Sequence, residues 1–142
     1  MNRSPRCQAA IDYAKKACSR LGHSHITSAH LILGLITLNG GIGDTVLKRA
    51  GLSVESIEKY FSSRHIPGEE TVEHDDAVFG CSATDALSRA EQEAAKFAHT
   101  ILGVEHLALS LLAEAHGEAA DLFASLQIEC DKLRQTILQE MR

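Results

Sequence analysis

Apolar side chains recur along this chain at intervals of three and four residues, the spacing of one face of a helix. Ala10, Ile11, Ala14, Cys18 and Leu21 form the first such face, and Leu31, Leu35 and Leu38 the second. The punctuation between the faces is equally readable. Ser4 before Pro5 offers an N-cap followed by a proline at the first helical position, and the first helix is predicted to end near Gly22. A second helix follows the Thr27-Ser28 cap and is stopped by Asn39-Gly40-Gly41, residues that tolerate a left-handed turn. A short third helix is predicted over 44–50, closed by Gly51. Ser53 then caps a fourth, with Ile57, Tyr60 and Phe61 facing inward.

The same pattern is written twice. At an offset of 76 residues, positions 10–61 lie over 86–137 without a gap. His30-Leu31-Ile32-Leu33 falls over His106-Leu107-Ala108-Leu109, Gly41 over Gly117, Val46-Leu47 over Leu122-Phe123 and Ile57 over Leu133. Few residues are identical, but most apolar positions coincide. Two similar supersecondary units, each too small to bury its own apolar face, are predicted to stack with pseudo-twofold symmetry. Helices in the second copy are expected over 84–98, 105–115, 119–125 and from 129 onward. Ser82 with Asp85 there resembles a capping box. The fold class predicted is all-α, two four-helix repeats packed as one eight-helix domain over 1–142. Repeat one takes 4–62, an acidic linker without apolar periodicity takes 63–78, and repeat two takes 79–142.

Composition narrows the function classes. A chain of 142 residues can bury a sizeable core without a disulfide framework or a metal. Its 44% apolar share comes mainly from Ala, Leu and Ile, with 4% aromatics and no Trp, which favours closely packed helices. The 14 basic and 19 acidic side chains leave a net charge of -5 with no Lys/Arg cluster, so nucleic acid is not an expected partner. No apolar signal region opens the sequence, and the run from Leu31 to Leu38 is too short to cross a bilayer; a soluble, cytoplasmic protein without membrane contact is expected. Cys7, Cys18, Cys81 and Cys130 show no CxxC spacing and read as reduced core thiols. On one helix Cys7 and Cys18 would stand roughly 16 Å apart, beyond disulfide reach.

Two segments carry a more specific signal. Gly22-His23 followed by Ile26-Thr27-Ser28-Ala29-His30-Leu31, and Ala98-His99 followed by Ile101-Leu102-Gly103-Val104-Glu105-His106-Leu107, resemble the two copies of the signature of the Clp N-terminal domain family. In that family a Gly-His pair, a short linker and an Ile-Gly-Thr-Glu-His-Leu-type helix start recur in each repeat. The resemblance covers nearly the whole chain. It implies a module placed ahead of a hexameric AAA+ ATPase, binding substrates or adaptor proteins before they are unfolded. A G-x-x-x-x-G-K-[ST] phosphate loop is absent and the chain is too short for an ATPase core, so the motor itself is not expected here.

The resemblance also implies candidate sites. In some family members each repeat holds a phosphoarginine group, the motif Glu meeting the guanidinium and the helix start meeting the phosphate, a role suited to free N–H donors beside a carboxylate. Only Glu105 matches that Glu; its counterpart is Ala29, and the motif Thr is replaced by Ser28 and Val104. One weakened site around Gly103, Val104 and Glu105 is expected rather than two, against the alternative that Glu105 complements its helix dipole. Members of the family carry a Phe at the start of each repeat near a groove used by adaptors. Phe79, beside Val78, stands there in the second copy and Arg3 in the first, so a one-sided groove at Val78-Phe79 is expected, with core packing as the alternative.

Other candidates read as structural. His30 and His106 are expected to be imidazoles bonded to nearby backbone. His23, His25 and His30 have no carboxylate or Cys at ligand spacing, and no metal or cofactor is expected. Gly41-Ile42-Gly43 is a helix stop rather than a nucleotide loop. Neither G-x-S-x-G nor H-E-x-x-H occurs, so no catalytic residue is assigned. The expected function is non-enzymatic binding of unfolded clients or adaptors for a Clp-type AAA+ unfoldase and protease. The alternative is a factor that stabilises a Clp assembly without binding clients.

Overall fold

The computed structural model describes residues 2–23, 25–38, 40–63, 78–114 and 117–141. Eight helices occur among them: α1 (Pro5–Arg20), α2 (Ser28–Leu38), α3 (Ile42–Arg49), α4 (Val54–Ser63), α5 (Cys81–Lys96), α6 (Val104–Leu112), α7 (Glu118–Ser125) and α8 (Cys130–Glu140). The offset of 76 read from the sequence holds to the residue. Pro5 and Arg20 bound α1 as Cys81 and Lys96 bound α5, and all four helices of the second repeat start 76 positions after their counterparts. The predicted acidic linker lies, but for its two ends, outside the described residues.

Local chemistry explains the boundaries. Ser4 Oγ accepts the Cys7 N–H at 3.0 Å, with Pro5 opening α1. Gly22 takes a φ of +76° after the last turn, the left-handed conformation that ends a helix, and Gly40 and Gly51 do the same after α2 and α3. The second repeat departs from its prediction at α5. The helix begins at Cys81, capped by the extended backbone of Gly80, so Ser82 sits inside the first turn and is no cap. Its hydroxyl instead accepts the Ser28 N–H of the other repeat at 3.1 Å. The early start also corrects the reading of the cysteines: Cys7 and Cys18 are buried, whereas Cys81 is exposed on the first turn and Cys130 is half-buried.

Among the described residues four two-residue strands join the repeats: β1 (Asn2–Arg3), β2 (His25–Ile26), β3 (Val78–Phe79) and β4 (Ile101–Leu102). β1 runs parallel to β4, and β2 parallel to β3, so each ribbon takes one strand from each repeat. The Ser4 N–H donates to Leu102 O and the Gly80 N–H to Ile26 O, both at 2.8 Å, extending the exchange into the starts of α1 and α5. The repeats are clasped reciprocally, as the pseudo-twofold requires.

The core lies along α2 and α6. Leu31, Ile32, Leu33 and Leu35 of α2 and Leu107, Leu109 and Leu111 of α6 are buried, as are Ile11, Leu47, Ile57, Phe123 and Ile137 on the helices packed around them. Each such side chain contributes roughly 1.5–3 kcal/mol on leaving water. Gly34 lets α1 and α2 approach closely: a Cβ there would stand 2.1 Å from Ala10 O. No single helix among the described residues is long and apolar enough to cross a membrane.

Candidate functional site

Each repeat fixes the start of its second helix with a pair of histidines. His30 Nδ1 accepts the Thr27 N–H at 2.8 Å, and His106 Nδ1 accepts the Gly103 N–H at 2.8 Å. With Nδ1 accepting, the proton of each neutral ring belongs on Nε2, which donates to Nδ1 of His23 or His99, each 2.8 Å away. Burial, followed by the neighbouring imidazole, pushes His30 down to about 3, and lowers His106 for the same causes in the same order. Phe61 stacks on His30 at 4.5 Å between centroids, whereas in the second repeat Phe97 stacks on His99 at 5.6 Å. These rings hold two helix starts in place; His23, His30 and His106 are buried, whereas His99 is exposed.

Around the start of α6 the chain brings several predicted residues together. Gly103 is the extended N-cap, Val104 is buried, and Glu105 is half-buried in the first turn. A Cβ on Gly103 would lie 3.2 Å from Glu105 Oε2, so the carboxylate folds back over its own helix end. The β1–β4 pairing sets Arg3 beside Leu102. Burial pushes the nearby Cys7 thiol up to about 11, with Arg3 opposing and Glu105 adding to the shift. One acid and one guanidinium therefore share the field at the converging starts of α1 and α6.

The equivalent place in the first repeat is filled. Ala29 is fully buried. Ser28 Oγ donates to Glu114 Oε2 at 3.0 Å and accepts the Ala119 N–H at 2.9 Å, while Glu114 Oε2 also accepts the Ala120 N–H at 3.0 Å. Glu114 was not singled out by sequence reasoning, and Ser82 was read only as a helix cap. Their partners lie 86 and 54 residues away, and only the substitution of Ser28 for the motif Thr hinted at altered surroundings.

Phe79 and Arg3, equivalent positions of the two repeats, face a common groove of about 320 Å³. Thr84, Leu87, Ser88 and Glu91 of α5 and Leu102 of β4 complete its wall. Phe79 is half-buried, and Lys15 Nζ stands 5.7 Å from its ring centroid, over the face of the ring. Val78 pairs with His25 in the β2–β3 ribbon. The groove thus combines an aromatic ring and aliphatic wall with the guanidinium of Arg3 and the carboxylate of Glu91, a composition suited to an extended polypeptide.

The architecture is that of a Clp N-terminal domain. It superimposes on the N-terminal domain of the caseinolytic protease associated chaperone ClpD from Arabidopsis thaliana with a TM-score of 0.82, at 19% identity, covering 99% of this chain and 98% of that one. The family model for the Clp repeat (R) N-terminal domain matches twice, over residues 2–78 and 78–142, and the chain belongs to that family. Among curated proteins it is 32% identical over 134 residues to the negative regulator of genetic competence ClpC/MecB of Bacillus subtilis, and 29% identical over 134 residues to the chaperone protein ClpB of Oceanobacillus iheyensis. Both alignments cover 94% of this chain. The chain spans 16% of the length of those relatives.

Proposed function

We propose that this domain is a non-catalytic docking module that receives unfolded clients or adaptor proteins for a Clp-type AAA+ unfoldase. The observation that carries the reading is the groove at Phe79. Its aromatic and aliphatic wall is held between the strand exchange and α5, where both repeats contribute one equivalent residue, Arg3 and Phe79. Family membership supports the setting beside a Clp ATPase. The half-buried Glu105 at the start of α6 is a second, narrower element: an anion-bearing guanidinium could pair with it there, and the first repeat, with Ala29 and an internally bonded Ser28, offers no counterpart.

The test is fluorescence anisotropy of a labelled, permanently unfolded polypeptide titrated with the parent chain and with Phe79→Ala. The reading expects saturable binding that the substitution weakens at least about fivefold, the scale of an aromatic contact in a partly desolvated groove. Undetectable binding of the polypeptide together with tight, Phe79-independent binding of a purified Clp ATPase would favour the stabilising factor instead.

A further inference from the structure

The protons of the second histidine pair are fully engaged. His106 Nδ1 accepts the Gly103 N–H, and its Nε2–H donates to His99 Nδ1, both at 2.8 Å. With Nδ1 accepting, the proton of the neutral His99 ring belongs on Nε2. A further proton therefore costs the pair a bond wherever it lands. On His106 Nδ1 it displaces the Gly103 N–H, and on His99 Nδ1 it breaks the bond between the rings.

The surroundings decide between the two places. A Cβ on Gly103 would lie 3.2 Å from Glu105 Oε2 and 3.4 Å from His106 Nδ1, so the carboxylate and the accepting nitrogen crowd one point. Burial and His99 disfavour charge on His106, while Glu105 and Glu93 favour it. These groups reach the ring from α6 (Glu105), from α5 (Glu93) and from the segment before β4 (His99). Glu93 also meets Lys96 of α5 and Arg134 of α8, and on the side of α1 Cys7 feels both Glu105 and Arg3.

The first repeat bonds its pair in the same way but lacks this setting. Ala29 and Ala17 stand 76 positions before Glu105 and Glu93, and both are buried. His23 is 6% exposed where His99 is open to solvent, and Phe61 covers His30 with 4.5 Å between centroids.

We infer that His106, His99 and Glu105 form a proton-operated latch on the second repeat. One proton from solvent adds to His106 Nδ1, the Gly103 N–H loses its acceptor, and the Glu105 carboxylate turns inward to accept from the new Nδ1–H. The Nε2–H continues to donate to His99. Gly103 follows Leu102, whose carbonyl accepts the Ser4 N–H and which lines the Phe79 groove, so the latch acts at the junction of β4 and α6. The folded ring is lowered from an ordinary 6.5, so the latch is closed at neutral pH and opens as pH falls below that value. It stands on the geometry of the α6 start; only its effect on a guanidinium at Glu105 rests on the reading above.

The test is ring and amide NMR of the full nitrogen-15-labelled chain, without ligand, from about pH 8 to about pH 5. His106 Nδ1 should move from the accepting to the protonated range while its Nε2 stays protonated. The Gly103 amide should follow the same midpoint and exchange with solvent at least about tenfold faster. The Thr27 amide and the His30 ring should not move in this interval, because burial holds His30 down to about 3. Glu105→Gln keeps the shape and removes the charge, and should lower the His106 midpoint by at least about half a pH unit. Gly103 and Thr27 amides moving together, a His106 Nδ1 still bare at about pH 5, or the added proton appearing on His99 would each overturn the latch. So would an unchanged midpoint in Glu105→Gln. The parent chain alone supplies the first three readings, and with no ligand present a failure of client binding leaves them untouched.

Discussion

His30 Nε2 and His23 Nδ1 stand 2.8 Å apart inside the first repeat, and His106 and His99 reproduce the same bond at the same distance in the second. In each pair the outer histidine orients the inner one, whose Nδ1 closes the start of the helix that carries the repeat's core leucines.

Because burial lowers His30 to about 3 from an ordinary 6.5, the unfolded chain binds more protons than the folded one between those values. Stability is therefore fully present above pH 6.5 and lost as pH falls toward 3. Thermal melts from pH 7.5 to 4 should show a falling Tm. His30→Asn retains an acceptor for the Thr27 N–H but breaks the link to His23; it should cost about 1–3 kcal/mol at neutral pH and flatten that slope. An unchanged slope would remove His30 as its source.

Gly34→Ala places a methyl group 2.1 Å from Ala10 O, where backbone must move. A loss of about 3 kcal/mol by urea denaturation is expected. Gly22→Ala meets nothing within 4 Å but has a φ of +76°, so only the conformational cost of about 1 kcal/mol applies. Similar losses for both would contradict the packing described for α1 on α2.

Ser28 and Glu114, 86 residues apart, are bonded at 3.0 Å across the repeats. A double-mutant cycle of Ser28→Ala and Glu114→Gln should return a coupling of at least about 1 kcal/mol. Additive effects would mean that the two repeats are not tied at this point.

Calorimetric titration with phosphoarginine should reveal one site at most, abolished by Glu105→Gln and unaffected by Ser28→Ala. Two equivalent sites would show that the filled start of α2 opens in solution.

Much of the helical plan was readable because helices announce themselves locally. Ser4-Pro5, Gly22, Gly40 and Gly51 mark ends within one turn of where they act. The strand exchange was not readable: two-residue strands have no period, and Asn2 pairs with Ile101 through backbone alone. The start of α5 misled for a related reason. Gly80 caps it without a side chain, while Ser82, which has the chemistry of a cap, serves Ser28 instead. Phe79 was visible as a candidate through family resemblance.

Amide chemical-shift mapping with an unlabelled unfolded polypeptide tests whether this double repeat docks polypeptide at the groove shared by Arg3 and Phe79. Progressive shifts are expected at Arg3, Phe79, Leu87 and Leu102, absent in Phe79→Ala, with the amides of α3 unmoved. A spectrum that does not change at those positions at saturating polypeptide would contradict it.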